Sequence, residues 1–131
     1  MPQPEDETAH MQIGNVAART ELSIKTIRHY DDAGLVTPSA RSRGGFRLYT
    51  ESDVQRLLVI RRMKPLGFTL GEMRELLNAL DARADRSADR EARATAEQYV
   101  AECHRRAETT CAELRTQLAY AEEFTALLAH P

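Results

Sequence analysis

The stretch LSIKTIRHYDDAGLVTPSARSRGGFRLYT, residues 22–50, holds the features that decide the fold. Its first part has a helical period. Ile24, Ile27 and Tyr30 or Asp31 fall three to four positions apart and share a face, which leaves Lys25, Thr26, Arg28 and His29 outward. Ser23 suits an N-cap, because its hydroxyl can accept from the amides of the following turn. Gly34 ends the helix, since glycine takes the left-handed conformation at little cost. Beyond it the period is lost, Pro38 and Gly44-Gly45 interrupt the chain, and strand formers stand at both ends. This predicts a β-hairpin with its turn near residues 42–45.

Upstream, Ile13, Val16 and Ala17 mark a short helix that Thr20-Glu21 interrupts, so two helices meet at a tight turn. Downstream, Thr50 and Asp53 form a capping-box pair ahead of Val54, Leu57, Leu58, Ile60 and Arg61, and Pro65 and Gly67 stop that helix. Thr69 and Glu72 repeat the signature before a fourth helix whose apolar face is Leu70, Met73, Leu76, Leu77 and Leu80. From about Ser87 to Leu128 there is neither Pro nor Gly. Such a helix is about 60 Å long at 1.5 Å per residue. Ala96, Val100, Cys103, Ala107, Cys111, Leu114, Leu118, Ala121, Thr125 and Leu128 recur along it at alternating steps of four and three, with a stutter around Ala107. A stripe of that length needs a cover, and a second copy of the chain is the simplest one.

The total charge of −2 hides a division. Residues 1–10 carry −3, residues 11–80 carry +4 and residues 81–131 carry −3. No acid lies between positions 33 and 50, where Arg41, Arg43 and Arg47 concentrate positive charge on the hairpin, with Tyr30 and Tyr49 expected at the same surface. Phosphates attract such a stretch regardless of sequence, and the paired glycines let backbone approach a sugar-phosphate edge. Helix, turn, helix and hairpin in that order make a winged helix-turn-helix, whose second helix enters the major groove. The expected fold is therefore all-α with a small β-hairpin wing. A disordered acidic tail at 1–10 precedes a winged helix-turn-helix DNA-binding domain at 11–80 and a dimerisation helix, a coiled coil, at 81–131.

In this order the residues resemble the DNA-binding domain of the MerR family of bacterial transcription regulators. The resemblance rests on Ile27-Arg28-His29-Tyr30-Asp31, Gly34-Leu35, the run from Arg41 through Tyr49, and Gly67-Phe68-Thr69-Leu70, and it covers residues 11–80. His29 stands where the family more often has an aromatic residue. The resemblance implies DNA contacts at Arg28, Tyr30, Arg41, Arg47, Tyr49 and Arg61, mainly on phosphates. Together with the outward and hairpin residues, the expected DNA-binding set is Lys25, Thr26, Arg28, His29, Tyr30, Arg41, Arg43, Gly45, Phe46, Arg47, Tyr49 and Arg61. It further implies an antiparallel homodimer joined through Val100, Cys103, Ala107, Cys111, Leu114, Leu118, Ala121 and Leu128. Such a dimer binds a pseudo-palindromic promoter and bends and untwists it so that RNA polymerase can engage, at a deformation cost of order 1–10 kcal/mol.

Cys103 and Cys111 lie about 12 Å apart along one helix, beyond disulfide reach within a chain. An antiparallel pair centred on Ala107 would bring Cys103 opposite the partner's Cys111. Relatives that sense metals carry a cysteine-bearing loop after the long helix, and although Ser87-Ala88-Asp89 resembles the matching place in copper-type sensors, the sequence shows no such loop before His130-Pro131. The two thiols are thus expected as small apolar seam residues, with redox sensing as the alternative reading and with no metal and no cofactor. His10, His104 and His130 are isolated, and Asp31-Asp32 is expected at a helix end beside Arg28. No apolar run nears 18 residues and the first ten are polar and acidic, so neither a spanning helix nor a secretory leader is expected, and the location is cytoplasmic. The rival reading is a protein-interaction adaptor built on the long helix, and a thiol enzyme is more distant still.

Overall fold

The structure is a computed structural model and describes residues 10–130. The acidic tail expected at 1–10 therefore lies, but for His10, outside the described residues. A short strand β1, Met11–Gln12, leads directly into α1, Ile13–Thr20. Glu21 then adopts a left-handed φ of 59°, which closes α1 and turns the chain toward α2, Ile24–Asp32. Ser23 caps α2 by accepting from the Thr26 amide at 3.0 Å, and Gly34 follows with φ +79°. Both ends of α2 thus form as the side chains dictate.

The wing is the hairpin of β2, Ala40–Arg41, and β3, Arg47–Tyr49, paired Ala40 to Leu48 and Arg41 to Arg47. Its turn is closed by Ser42 and Phe46, whose backbone N–H and C=O meet at 2.9 Å, and by Gly45 at φ +81°. The sequence suggested two strands, but the sheet has three in the order β1-β3-β2, because Met11 and Gln12 pair antiparallel with Tyr49 and Leu48. Two residues are too short a run to show alternation, so that strand carries no periodic signal.

Helix α3, Glu51–Met63, starts at the expected capping box: the Thr50 hydroxyl accepts from the Asp53 amide, and Asp53 Oδ2 accepts from the Thr50 amide at 2.9 Å. A 3-10 turn at Lys64–Leu66 ends at Gly67, with φ +81°. Helix α4, Leu70–Ala84, follows the second box, in which Thr69 and Glu72 exchange bonds of 2.9 and 3.1 Å. Helix α5, Arg90–Ala129, runs for 40 residues. Its cap is Asp89, accepting from the Ala92 amide at 2.7 Å, so the helix starts three residues after Ser87. Ser87 is engaged instead with the Asp85 carboxylate, which two bonds from that one residue hold below the usual range.

The chain divides into two compact units between Glu75 and Leu76, inside α4. The first has a closed core in which Val16, Ile27, Leu35, Val36, Tyr49, Val54, Leu57 and Ile60 are fully buried. The second comprises the rest of α4 and α5, and it buries Leu77, Ala79, Ala96 and Cys103. Arg83 and Glu97 link its two helices at 3.4 Å.

Candidate nucleic-acid interface

Helix α2 leaves Lys25, Arg28 and His29 exposed, while Thr26 is half-buried and tied to the Ser23 hydroxyl at 2.9 Å. On the wing, Arg41, Arg43, Gly45 and Phe46 are exposed. Arg41 Nη1 donates to the Gly45 carbonyl at 3.1 Å, so this arginine shapes the turn while its charge stays at the surface. Between the two elements lies a cavity of about 190 Å³ lined by Gln12, Ile13, Gly14, Arg28, Arg41 and the Gly45–Arg47 edge of the wing. Arginines from α2 and the wing thus converge on one hollow beside the start of α1. The field there favours an anion, and a helix start adds amide donors of the same preference.

Four of the residues expected at this surface are placed otherwise. Tyr30 and Tyr49 are 2% and 0% exposed and belong to the core. Tyr30 lies on the same helical face as Ile27, and Tyr49 ends β3, directly before the cap of α3, where both rings are worth more buried than exposed. Burial first, and then the Asp31 carboxylate, push the Tyr49 hydroxyl above its ordinary pKa. Arg61 Nη1 donates to the Thr20 carbonyl at 2.6 Å, satisfying the end of α1. Arg47 pairs inward with Asp31 at 2.8 Å and Asp32 at 3.4 Å, so the acid pair at the end of α2 faces the wing arginine and not Arg28. Burial raises the Asp31 carboxyl above the usual carboxylate range even though Arg47 opposes it. Ile24, expected on the inner face, is 39% exposed.

Two arginines escaped the sequence reading. Arg56 Nε donates to the Leu35 carbonyl at 2.7 Å, and Arg74 donates to the Ala33 carbonyl, so both hold the segment that leaves α2. Their signal is faint, because an arginine aimed at a distant carbonyl leaves no local pattern.

On α5 the expected seam divides. Cys103 is buried and Val100, Ala107 and Cys111 are half-buried, whereas Leu114, Leu118, Ala121 and Leu128 are exposed. Both thiols are free. Among the described residues, no three of His, Cys, Asp and Glu stand together as a metal site, and no helix is long and apolar enough to cross a membrane.

A helix-turn-helix followed by a basic hairpin, with a long helix after it, defines a winged helix-turn-helix regulator. The family model for MerR HTH family regulatory proteins matches residues 11–80, and a second, for MerR DNA-binding segments, matches residues 54–121. The chain belongs to the MerR family. An HTH-type transcriptional regulator of Pseudomonas aeruginosa is 41% identical over 98 residues, covering 75% of this chain and 73% of its own. The regulator CueR of Salmonella typhimurium is 42% identical over 79 residues, 60% of this chain and 57% of its own, so the match spans little more than half of that relative. The lead(II) complex of PbrR691 from Ralstonia metallidurans is similar in structure, with a TM-score of 0.56 and 31% identity over 91% of this chain and 83% of that one. These relatives are transcription regulators and not enzymes.

Proposed function

We propose that this chain acts in the cytoplasm as a homodimer that binds a pseudo-palindromic double-stranded promoter and controls transcription by distorting the DNA for RNA polymerase. The observation that carries this reading is the hollow where Arg28 of α2 and Arg41 of the wing converge. A duplex backbone phosphate fits its charge and size, and seating it sets α2 against the major groove. Lys25, Thr26, Arg28 and His29 then serve the groove, while Arg41, Arg43, Gly45 and Phe46 serve the flanking backbone. Each copy brings one such surface, and the pair is joined along α5, where the bare apolar end from Leu114 to Leu128 supports a second copy as cover. No cofactor enters this reading.

The test is a mobility shift with the DNA upstream of its own gene. Binding should fall steeply with salt, and Arg28→Ala should weaken it by about 1–3 kcal/mol. Unchanged affinity in that variant at moderate salt would overturn the assignment. The same assay separates a regulator from an adaptor that uses α5 alone, which would leave DNA unbound.

A further inference from the structure

Arg47 stands at the wing edge of the hollow, at a position where a phosphate contact is expected, yet its charge is already engaged by two carboxylates of α2. Nε lies 2.8 Å from Asp31 Oδ2, and Nη2 donates to Asp32 Oδ1 at 3.4 Å. The Nε–H is not aligned on Oδ2, so the closer contact is held by charge and not by a directed hydrogen bond. The side chains of Arg47 and Asp31 are only 25% and 13% exposed, and the buried Tyr49 hydroxyl lies beside them. Turning Arg47 out toward a phosphate would leave a largely buried carboxylate next to the negative charge of Asp32. Stranding one member of such a pair is a strongly unfavourable exchange.

The pair joins the last turn of α2, the helix that carries Arg28, to β3, whose partner strand and turn carry the exposed Arg41 and Arg43. β2 and β3 pair through only two residues each, so this cross-link helps fix the wing relative to α2. We propose that Arg47 is a positioning residue for DNA binding, which holds the wing against α2 through Asp31 and Asp32 and does not itself bind phosphate. The proposal rests on the DNA-binding reading above. Phosphate attraction falls instead to the exposed Arg28, Arg41 and Arg43.

Fluorescence anisotropy of a labelled duplex from upstream of the gene, titrated across a range of KCl, tests it on the full chain. A phosphate ligand contributes about 0.9 to the slope of log affinity against log salt, and a positioning residue contributes none. Arg47→Ala, Arg47→Lys and Asp31→Asn should each weaken binding about fivefold at the wild-type slope. The double variant Arg47→Ala/Asp31→Asn should bind as Arg47→Ala does, because the two residues act as one unit. Arg41→Ala should lose about 0.9 of slope. Circular dichroism melts fix the temperature at which every variant is folded, so the affinities refer to folded protein. The proposal is overturned if Arg47→Ala loses slope as Arg41→Ala does while Arg47→Lys binds normally, or if Asp31→Asn binds as tightly as wild type or tighter. A wild-type protein that ignores the duplex would instead overturn the DNA reading on which the proposal stands.

Discussion

Arg61 donates from Nη1 to the carbonyl of Thr20 at 2.6 Å, across 41 positions of sequence. Glu21 turns left-handed immediately after Thr20, which ends the α1 ladder and leaves its last carbonyls in need of donors. The Thr20 hydroxyl is already spent on the Val16 carbonyl at 2.8 Å, so a cation from α3 completes the end of the helix. Arg61→Met keeps the aliphatic stem and removes the donor. It should lower stability by about 1–2 kcal/mol in urea titration, with the salt slope of DNA binding unchanged. A slope lower by about 0.9 would identify Arg61 as a phosphate ligand after all.

Acid should act on the Arg19–Glu51 pair in one direction. Hydrogen bonds from Arg19 and then Gln55 hold the Glu51 carboxyl at about 2, below its ordinary 4.5. The folded state therefore binds fewer protons here than the unfolded chain, and the stabilisation is present above pH 4.5 and lost as pH falls through about 2. Asp31 has the opposite sign: its raised value makes its contribution most favourable below 3.8 and lost as pH rises through the folded value. Glu51→Gln removes the first effect only. Its urea midpoint should fall less than that of the wild type between pH 4.5 and 2, and parallel curves would show that the pair contributes nothing.

The capping boxes explain why so much of the fold was legible. Ser23, Thr50 and Thr69 each announce a helix by local chemistry, and Gly34 and Gly67 each close one, so every such boundary depends on residues within a few positions. The exposed cations of the interface were legible for the same reason, since an acid-free run is visible in one dimension. Other features are three-dimensional. Tyr30 and Tyr49 look like surface aromatics in a basic stretch, and only the folded core shows them buried. Arg47, Arg56, Arg61 and Arg74 carry the same charge as Arg28, and only packing shows that their partners are carboxylates or carbonyls of the protein itself.

Thr50 is where local and tertiary effects meet. Its hydroxyl accepts from the Asp53 amide, while Asp53 Oδ2 accepts from the Thr50 amide and from the Ser39 hydroxyl at 2.7 Å. One cap therefore fastens the start of α3 to the strand-side residue Ser39. Thr50→Ala should cost about 1 kcal/mol, and Thr50→Ser should recover most of it. Thermal melts followed at 222 nm measure both. Equal losses in the two variants would assign the effect to the buried methyl group and not to the cap.

The apolar end of α5 gives the sharpest prediction about assembly. Leu114, Leu118 and Leu128 are 41%, 58% and 69% exposed on one stripe, with Ala121 and Thr125 between them. Thr125 does not interrupt the stripe with an unmet polar group, because its hydroxyl donates to the Ala121 carbonyl at 2.9 Å. Covering one leucine fully is worth about 1.5–3 kcal/mol, so a second copy laid along this stripe gains from every one it covers. Leu118→Glu puts a charge into that contact in both copies at once, and two charges that must be desolvated together oppose association strongly. Sedimentation velocity should show a dimer for the wild type and a monomer for Leu118→Glu. The helical signal of the first unit should persist, since residue 118 lies outside it. Promoter affinity should fall sharply as the two reading surfaces become independent. A Leu118→Glu protein that stays dimeric would place the contact between copies somewhere other than this stripe.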